Sequence, residues 1–281
     1  SDLSLDNLSV DENDVGAIVG TLTVSDPDAG DSHTFAVDDT RFEVVGGVLK
    51  LKTSASLDHE TEGSVLVTVT ATDLAGESYA ESFTIAVNDV NEAPTVSLAN
   101  AVTSIAENSD TSGSTKIAEI VVSDDALGSN DLTLSGAQAS LFSIVGNELH
   151  LNAGVALDFE VLDQLDVTVR VDDATVGGSP DDSASLSLAV NDVNEAPTVS
   201  LANAVTSIAE NSDTSTSTKI ADIVVSDDAL GSNDLTLSGA QASLFSIVGN
   251  ELHLNAGVAL DFEILDQLDV TVRVDDATVG G

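Results

Sequence analysis

One eight-residue segment, Asn-Asp-Val-Asn-Glu-Ala-Pro-Thr, occurs twice in the chain, at positions 88–95 and 191–198. Each copy places two acids and two amides within five residues, followed by a proline, which donates no hydrogen bond and keeps its predecessor extended. Calcium binds about six to eight oxygen ligands and tolerates irregular geometry. Both segments are therefore predicted to be joints that end one sheet, begin another and hold calcium between them.

Acids also recur at matching positions outside these joints. Each of three stretches carries a Glu-Asn near its start, a later Leu-Asp-x-Glu, and an Asp pair followed by a further Asp. A single Asp pair favours a solvated turn, because such side chains bond their own backbone. Three matching sets favour calcium ligands instead. The loop that begins Asp26-Pro27-Asp28 does not fit an EF-hand, since its twelfth residue is Val37 where a bidentate Glu is needed.

Alternating apolar and polar residues predict the elements that must position these acids. The stretches 65–71 and 82–87 alternate with period two and are rich in β-branched residues, which is typical of half-buried strands. Gly-Gly and Ala-Gly pairs fall between the strands as turn signals, and no sustained helical period is present. About seven short strands in roughly 100 residues predict a Greek-key β-sandwich.

A repeat of 103 residues sets the domain organisation. Residues 95–178 match 198–281 at all but three places, which are Gly113 against Thr216, Glu119 against Asp222, and Val161 against Ile264. Three domains are expected, at 1–94, 95–197 and 198–281. The third has no counterpart of 179–197 and is expected to lack its final strand. The chain is expected to be an internal piece of a longer protein.

Composition narrows the class of partner. The net charge is -42, from 49 acids against seven bases, and this charge repels nucleic acid and anionic membranes while it attracts cations. A hydrophobic content of 42% is enough to form cores, so the acids are expected on solvated faces and at metal sites. The chain has no cysteine and no long apolar run, so neither disulfide bonds nor membrane insertion is expected.

These motifs, which keep the same order in each repeat and cover nearly the whole chain, resemble those of the cadherin family, in the bacterial cadherin-like form found in large RTX-type surface adhesins. The resemblance implies all-β, tandem Greek-key β-sandwich (cadherin/Ig-like) domains joined end to end by calcium-binding linkers. Two departures stand out: the joint reads Asn-Glu-Ala-Pro where many cadherins have Asn-Asp-Asn-Ala-Pro, and Asp124-Asp125-Ala126 lacks the second acid of an Asp-x-Asp. We expect fewer than three calcium ions at each joint.

The resemblance also implies a set of calcium ligands at each joint, drawn from the domain before it, the linker and the domain after it. At the first joint the implied ligands are Glu12, Asp58, Glu60, Asp89, Asn91, Glu92, Asp124, Asp125 and Asp173. At the second joint they are Glu107, Asp158, Glu160, Asp192, Asn194, Glu195, Asp227, Asp228 and Asp276.

The function expected from this pattern is a calcium-dependent extender or adhesive stalk of a bacterial surface adhesin, located outside the cell. Its expected partners are calcium ions, adjacent repeats of the same chain, and either cell-surface glycans or homotypic domains. The alternative is a recognition module for carbohydrate or protein, but sugar sites generally use exposed aromatic faces, and the chain has no Trp and only Tyr79 as its tyrosine. No Gly-x-Ser-x-Gly or His-Glu-x-x-His motif occurs, so an enzyme is not expected.

Overall fold

The computed structural model describes residues 2–26 and 32–279. Pro27 and Asp28, which belong to a sequence landmark of the first repeat, lie outside the described residues, as do all of residues 27–31 of the loop compared with an EF-hand. The described chain is almost entirely β-strand and turn, with single 3-10 turns at Ala139–Leu141 and Ala242–Leu244. The all-β fold class predicted from alternation is confirmed. No helix among these residues has the length and apolar character needed to cross a bilayer.

The strands follow the repeats in chain order. Those of the first repeat are β1 (Asp2–Leu5), β2 (Ser9–Asp11), β3 (Ile18–Ser25), β4 (Thr34–Val37), β5 (Phe42–Val45), β6 (Val48–Leu51), β7 (Ser64–Thr72) and β8 (Ser78–Asn88). Those of the second are β9 (Thr95–Ala99), β10 (Ser104–Ala106), β11 (Thr115–Ser123), β12 (Asp131–Ser135), β13 (Phe142–Val145), β14 (Glu148–Leu151), β15 (Gln164–Asp172) and β16 (Asp182–Asn191). Those of the third are β17 (Thr198–Ala202), β18 (Thr218–Ser226), β19 (Asp234–Ser238), β20 (Phe245–Val248), β21 (Glu251–Leu254) and β22 (Thr271–Asp275).

The first repeat forms two four-stranded sheets, with strand orders β1-β3-β6-β5 and β2-β8-β7-β4. Residues of β7 alternate between exposed and buried, so Val67 and Val69 join one apolar core with Phe42, Leu49 and Leu51. Burial of such side chains is the main stabilising contribution to a domain of this size, at about 25 cal/mol per Å² of apolar surface. The acids at the ends of the strands are not part of this apolar core, so they can make other contacts.

The second repeat has the same strand orders, β9-β11-β14-β13 and β10-β16-β15-β12. In both repeats a short strand near the start pairs in parallel with the last strand: Ser9 with Ala86, and Ser104 with Ala189. The third repeat keeps the first of these sheets, as β17-β18-β21-β20, whereas the second sheet is reduced to the pair β19-β22 among the described residues. A third repeat without its final strand was expected from the sequence.

Contacts divide the chain into two compact units. The first consists of Ser1–Ala101, Ala118–Leu149 and Val167–Leu186, and the second of Val102–Ile117, His150–Asp166 and Ser187–Gly281. The first acidic linker lies wholly in the first unit and the second linker wholly in the second. The three domain boundaries expected from the repeat stay a prediction.

Candidate metal centres

Three carboxylates converge immediately before the first linker. Glu12, Asp58 and Glu60 each place an oxygen within 4.8 Å of the others. Glu12 follows β2, is 3% exposed, and accepts hydrogen bonds through Oε2 from the backbone N–H of His59 at 2.7 Å and through Oε1 from that of Val90 at 2.8 Å. One buried carboxylate is thus fixed both to the Leu-Asp-x-Glu turn and to the linker.

The second unit contains the same arrangement. Glu107, Asp158 and Glu160 also converge within 4.8 Å, and Glu107 accepts hydrogen bonds from the backbone N–H groups of Phe159 and Val193, both at 2.7 Å. Because the donors are backbone groups, the side chain between Asp and Glu is free to differ, being His in one repeat and Phe in the other. The third position of the Leu-Asp-x-Glu motif accordingly holds His in the first repeat and Phe in the other two.

Repulsion from neighbouring carboxylates contributes to a raised pKa at Glu60 and at Asp192. The largest influence on the pKa of Glu60 is its own backbone N–H, which lowers it, but desolvation and the charges of Glu12, Asp89 and Asp58 outweigh this and leave the pKa above its ordinary value. Desolvation, with the charges of Asp228 and Glu107, likewise raises the pKa of Asp192. These carboxylates therefore favour a neutralising group, which a divalent cation supplies.

Some of the predicted calcium ligands also accept hydrogen bonds from protein groups. Asp58 accepts hydrogen bonds from the backbone N–H and the hydroxyl of Thr61, both at 2.9 Å, as a turn residue does. The carboxylate of Glu92 accepts a hydrogen bond from the side chain of Asn13, the second residue of the Glu-Asn motif. Glu195, the counterpart of Glu92, is exposed. The side chains of Glu92 and Glu195 are thus less clearly part of the oxygen clusters than their neighbours in the linkers.

The amide of the first linker points to the loop that follows β15. Asn91 donates through Nδ2 to Asp173 Oδ2 at 2.9 Å and to Thr175 Oγ1 at 2.7 Å, while the backbone N–H of Glu92 donates to Asp125 Oδ2 at 2.6 Å. Hydrogen bonds from Asn91 and then from Thr175 lower the pKa of Asp173 to about 2. Asp173 is 1% exposed, so a buried charge is stabilised at the linker.

The second linker repeats these contacts. Asn194 donates to Asp276 Oδ2 at 2.9 Å and to Thr278 Oγ1 at 2.7 Å, and the backbone N–H of Glu195 donates to Asp228 Oδ2 at 2.6 Å. The pKa of Asp276 is lowered to about 2, first by the backbone N–H of Thr278 and then by the Asn194 amide. The same local sequence thus produces the same geometry in both units.

Several buried oxygens at these positions accept no hydrogen bond. They are Oδ1 of Asn91 and of Asp124 in the first unit, and Oδ1 of Asp192, Asn194 and Asp227 in the second. A buried acceptor without a partner costs about 1–3 kcal/mol. Carboxylate and amide oxygens are the ligands that calcium prefers. The residues present therefore fit a calcium ion at each linker, held by the carboxylates before the linker and by the loop oxygens after it.

A third carboxylate group, Glu210, Asp261 and Glu263, also converges within 4.8 Å, but all three are exposed. Glu210 accepts a hydrogen bond from the backbone N–H of Phe262 at 3.0 Å, as Glu107 does from Phe159. The linker contact that Val193 gives to Glu107 has no counterpart here among the described residues. Glu12 and Glu107, which accept from linker residues, are buried, whereas Glu210 is exposed.

Glycine and threonine residues of the sites were missed in the sequence analysis. Gly128 has a φ of +64°, and a Cβ there would lie 1.7 Å from Asp173 Oδ2 and 2.7 Å from Asn91 Oδ1. Thr175 accepts from Asn91 and donates to Asp173. The available signal was the segment Asp-Asp-Ala-Leu-Gly-Ser-Asn, which is identical at 124–130 and 227–233 and includes this glycine in both copies.

Comparison with known proteins agrees with this architecture. No family model matches the chain. Human protocadherin gamma-B4 is 32% identical over 207 residues, which is 66% of this chain and 22% of that protein, and the Pan troglodytes protein of the same name is 31% identical over the same length. The chain thus spans about a fifth of the length of these relatives.

Solved structures give the same result. Cadherin domains 3–6 of protocadherin gamma B2 match 94% of this chain, over 66% of that chain, at 26% identity and a TM-score of 0.66. Domains 22–24 of mouse cadherin-23 match 89% of it, over 84% of that chain, with a TM-score of 0.61, but at 19% identity they bear on the fold alone. From its strand orders, its acidic linkers and these likenesses, the chain is built of cadherin-like domains.

Proposed function

We propose that this chain is a calcium-dependent extender module for cell adhesion, and that calcium makes its interdomain linkers rigid. The observation that carries the proposal is that consecutive linker residues are bound from two sides. Val90 donates to Glu12 before the linker, and Asn91 donates to Asp173 after it. A cation held by oxygens from both sides would restrict rotation of the chain between them.

The charges explain why such a module depends on calcium. In its absence, each linker lies among carboxylates that repel one another, as the raised pKa values of Glu60 and Asp192 indicate. Each bound calcium ion offsets two negative charges and supplies the missing partner for amide and carboxylate oxygens. Because the ordered linker binds the ion and the disordered linker does not, calcium stabilises the ordered linker by mass action.

The adhesive and extracellular part of the proposal is supported by the likeness to protocadherin domains described as extracellular. A bacterial surface adhesin is the class of parent protein that we propose. Its support is the resemblance of the linker and acidic motifs described above, and the near-identity of residues 95–178 and 198–281 supports the extender role, since a spacer gains reach with each added copy whereas a specific binding site needs only one. Calcium in place of disulfides would then be the stabilising device of a chain without cysteine.

The chain supplies its own matched control for a test of calcium binding. Glu107 and Glu210 have the same local sequence, but only Glu107 is buried and bonded to a linker residue. Calorimetric titration with calcium should show that E107Q loses one of the tighter sites, while E210Q keeps both. Equal effects of the two substitutions, or no calcium binding by the unsubstituted chain, would contradict the proposal.

Rigidity is measured separately from binding. Small-angle X-ray scattering of the unsubstituted chain in calcium and in chelator should give a narrower range of dimensions with calcium. The E107Q variant in calcium should fall between these two states because one linker remains clamped, and E210Q should match the unsubstituted chain. Scattering curves that do not change on chelation would refute the stiffening role, even if calcium binds.

A further inference from the structure

The turn at 58–62, which carries two of the carboxylates before the first linker, is anchored at two points. The backbone N–H of His59 donates to the buried Glu12 at 2.7 Å. The side chain of Glu62, which is not among the implied calcium ligands, accepts a hydrogen bond from Arg41 Nη1. The turn is therefore fixed on one side to a carboxylate of the site and on the other to a base outside it.

Arg41 is itself held in one orientation by Asp39. Its Nε donates to the two carboxylate oxygens of Asp39 at 3.1 and 3.2 Å, and its Nη2 donates to Asp39 Oδ2 at 2.7 Å. Asp39 also accepts from the backbone N–H of Arg41 at 2.8 Å, just before β5 begins. The side chains of Asp39, Arg41 and Glu62 are 18%, 36% and 32% exposed. We call these three residues the latch, because a planar guanidinium bound to two carboxylates has a defined geometry that most surface ion pairs lack.

The second repeat has leucines at the two positions that the latch joins to each other. Residues 41–73 align with 141–173 without a gap, so Arg41 corresponds to Leu141 and Glu62 to Leu162. Both leucines are half-buried. Removing one partner of a shielded ion pair is costly, whereas replacing both partners by apolar side chains is often neutral. A change at both positions together is what this rule predicts for side chains that depend on each other.

The backbone around these positions is the same in different repeats. The N–H of Lys52 donates to Arg41 O at 2.9 Å, and in the third repeat the corresponding Asn255 donates to Leu244 O at 2.8 Å. In the first and second repeats alike, the last residue of the turn donates to the carbonyl oxygen of the Asp four residues before it, at 2.9 Å. The difference between the repeats is thus one of side chains.

The charge of Arg41 excludes a direct part in holding a cation. A guanidinium has only hydrogen-bond donors and is always positive, so it cannot be a calcium ligand. The latch contains two acids and one base, and loss of the base would make this region more negative. On electrostatics alone, calcium binding would then become stronger. A loss of calcium affinity on replacing Arg41 would therefore report the position of the turn and not its charge.

We propose that Arg41 is a positioning residue for the calcium site of the first linker. Through the latch it holds the turn at 58–62 so that Asp58 and Glu60 stay close to Glu12, the arrangement in which their oxygens lie within 4.8 Å of one another. This inference rests on the calcium-dependent function proposed above. It adds to the site a base that contacts no ion.

Calorimetric titration with calcium tests the role of the latch. The measurements are made on the whole chain carrying E107Q, so that the site of the first linker is observed without the tight site of the second. R41L should weaken calcium binding about tenfold, as expected when a group that orients metal ligands is lost. The variant R41L/E62L, which keeps the net charge and has the leucines of the second repeat, should bind within about threefold of the parent. A double variant as weak as R41L, or an R41L protein that binds calcium equally well or better, would overturn the proposal.

Lys50 provides the matched control for the loss of a positive charge. It lies 3.9 Å from Glu43 on the neighbouring strand of the same repeat. K50L should change calcium affinity by less than about twofold, because an ion pair of this kind contributes little. A loss as large as that of R41L would show that any missing base has this effect, and the latch would not be the cause.

Hydrogen exchange in chelator measures the turn without calcium. R41L should accelerate exchange of the backbone amides of His59 and Glu62 about tenfold, the factor expected for its calcium affinity. The amides of Phe159 and Leu162, their counterparts, should not change, and R41L/E62L should restore slow exchange at 59 and 62. Equal acceleration along β7 would show that Arg41 stabilises the whole domain and does not position this turn.

The two proposals can fail separately. If the parent chain binds no calcium, the proposed function fails, and the role of Arg41 at a calcium site fails with it. If calcium binds to the parent chain but R41L changes neither its affinity nor the exchange of the turn, only the role of the latch fails.

Discussion

Replacing Gly128 and Gly231 together by alanine should weaken calcium binding at both linkers. Their φ angles are +64° and +65°, and an added Cβ would lie 1.7 Å from Asp173 Oδ2 and 1.8 Å from Asp276 Oδ2. Since real Cβ atoms essentially never approach closer than 3.0 Å, the first carboxylate must move by about 1.3 Å. Metal sites tolerate departures of roughly 0.2 Å in ligand distance, so this shift is large.

The expected loss is about 10- to 100-fold in calcium affinity, the usual effect of disturbing groups that orient metal ligands. Part of any change in stability will come from the backbone, because a left-handed alanine costs about 1–2 kcal/mol. The chain provides a control for this part. Gly146 and Gly249 have φ angles of +60° and +62°, but a Cβ at either position meets nothing within 4 Å.

The two double variants should therefore separate strain from ligand displacement. Calorimetric titration of the Gly146→Ala, Gly249→Ala protein should give the affinity of the unsubstituted chain, although its thermal stability falls. The Gly128→Ala, Gly231→Ala protein should lose stability by at least as much and lose calcium affinity as well. If both variants bind calcium equally well, Asp173 and Asp276 are not part of the cation sites and the reasoning fails.

Three further outcomes follow from the same sites. The pKa of Asp173 and that of Asp276, both about 2, lie below the ordinary value of 3.8. The stability that these two carboxylates contribute in metal-free buffer is therefore present above about pH 4 and should be lost as the pH falls toward 2. Melting temperatures that stay constant across this pH range would contradict this prediction. H59F should change calcium affinity by less than about twofold, because Glu12 accepts a hydrogen bond from the backbone N–H of residue 59 and the second repeat already has Phe at the equivalent position. A large loss of calcium affinity in a calorimetric titration would show a direct role for the imidazole. Calcium should occupy the Glu210 group last in a titration followed by NMR, since all its carboxylates are exposed and ligand number sets affinity; early filling of that group would argue against the linker as a source of ligands.

Much of the fold could be predicted because strand alternation is a local property. The run 65–71 alternates in sequence, and β7 alternates in burial accordingly. The parallel pairing of β2 with the end of β8 could not be predicted, since it joins Ser9 to Ala86 and depends on how the whole domain closes. Strand pairing between residues so far apart is a tertiary effect that periodicity does not encode.

Part of each candidate site could likewise be predicted from the sequence, and part could not. Glu12, Asp58 and Glu60 converge as a motif with fixed spacing allows, and their counterparts do so in each later repeat. Gly128 was missed because a glycine in a loop is usually only a turn residue, and its contact with Asp173 joins residues 45 positions apart. The sequence also does not reveal that Asn91 donates a hydrogen bond to a buried carboxylate. An amide side chain can act as a metal ligand through its oxygen or as a hydrogen-bond donor through its nitrogen, and the sequence does not distinguish the two.

The backbone hydrogen bonds to Glu12 and Glu107 have a consequence for how such a protein evolves. Glu12 and Glu107, which accept hydrogen bonds from linker N–H groups, belong to a motif present in every repeat, and the linker segment is identical in both of its copies. Unequal recombination within the gene can therefore add or remove whole repeats without a compensating mutation, so the length of the molecule can change between generations while each linker keeps working.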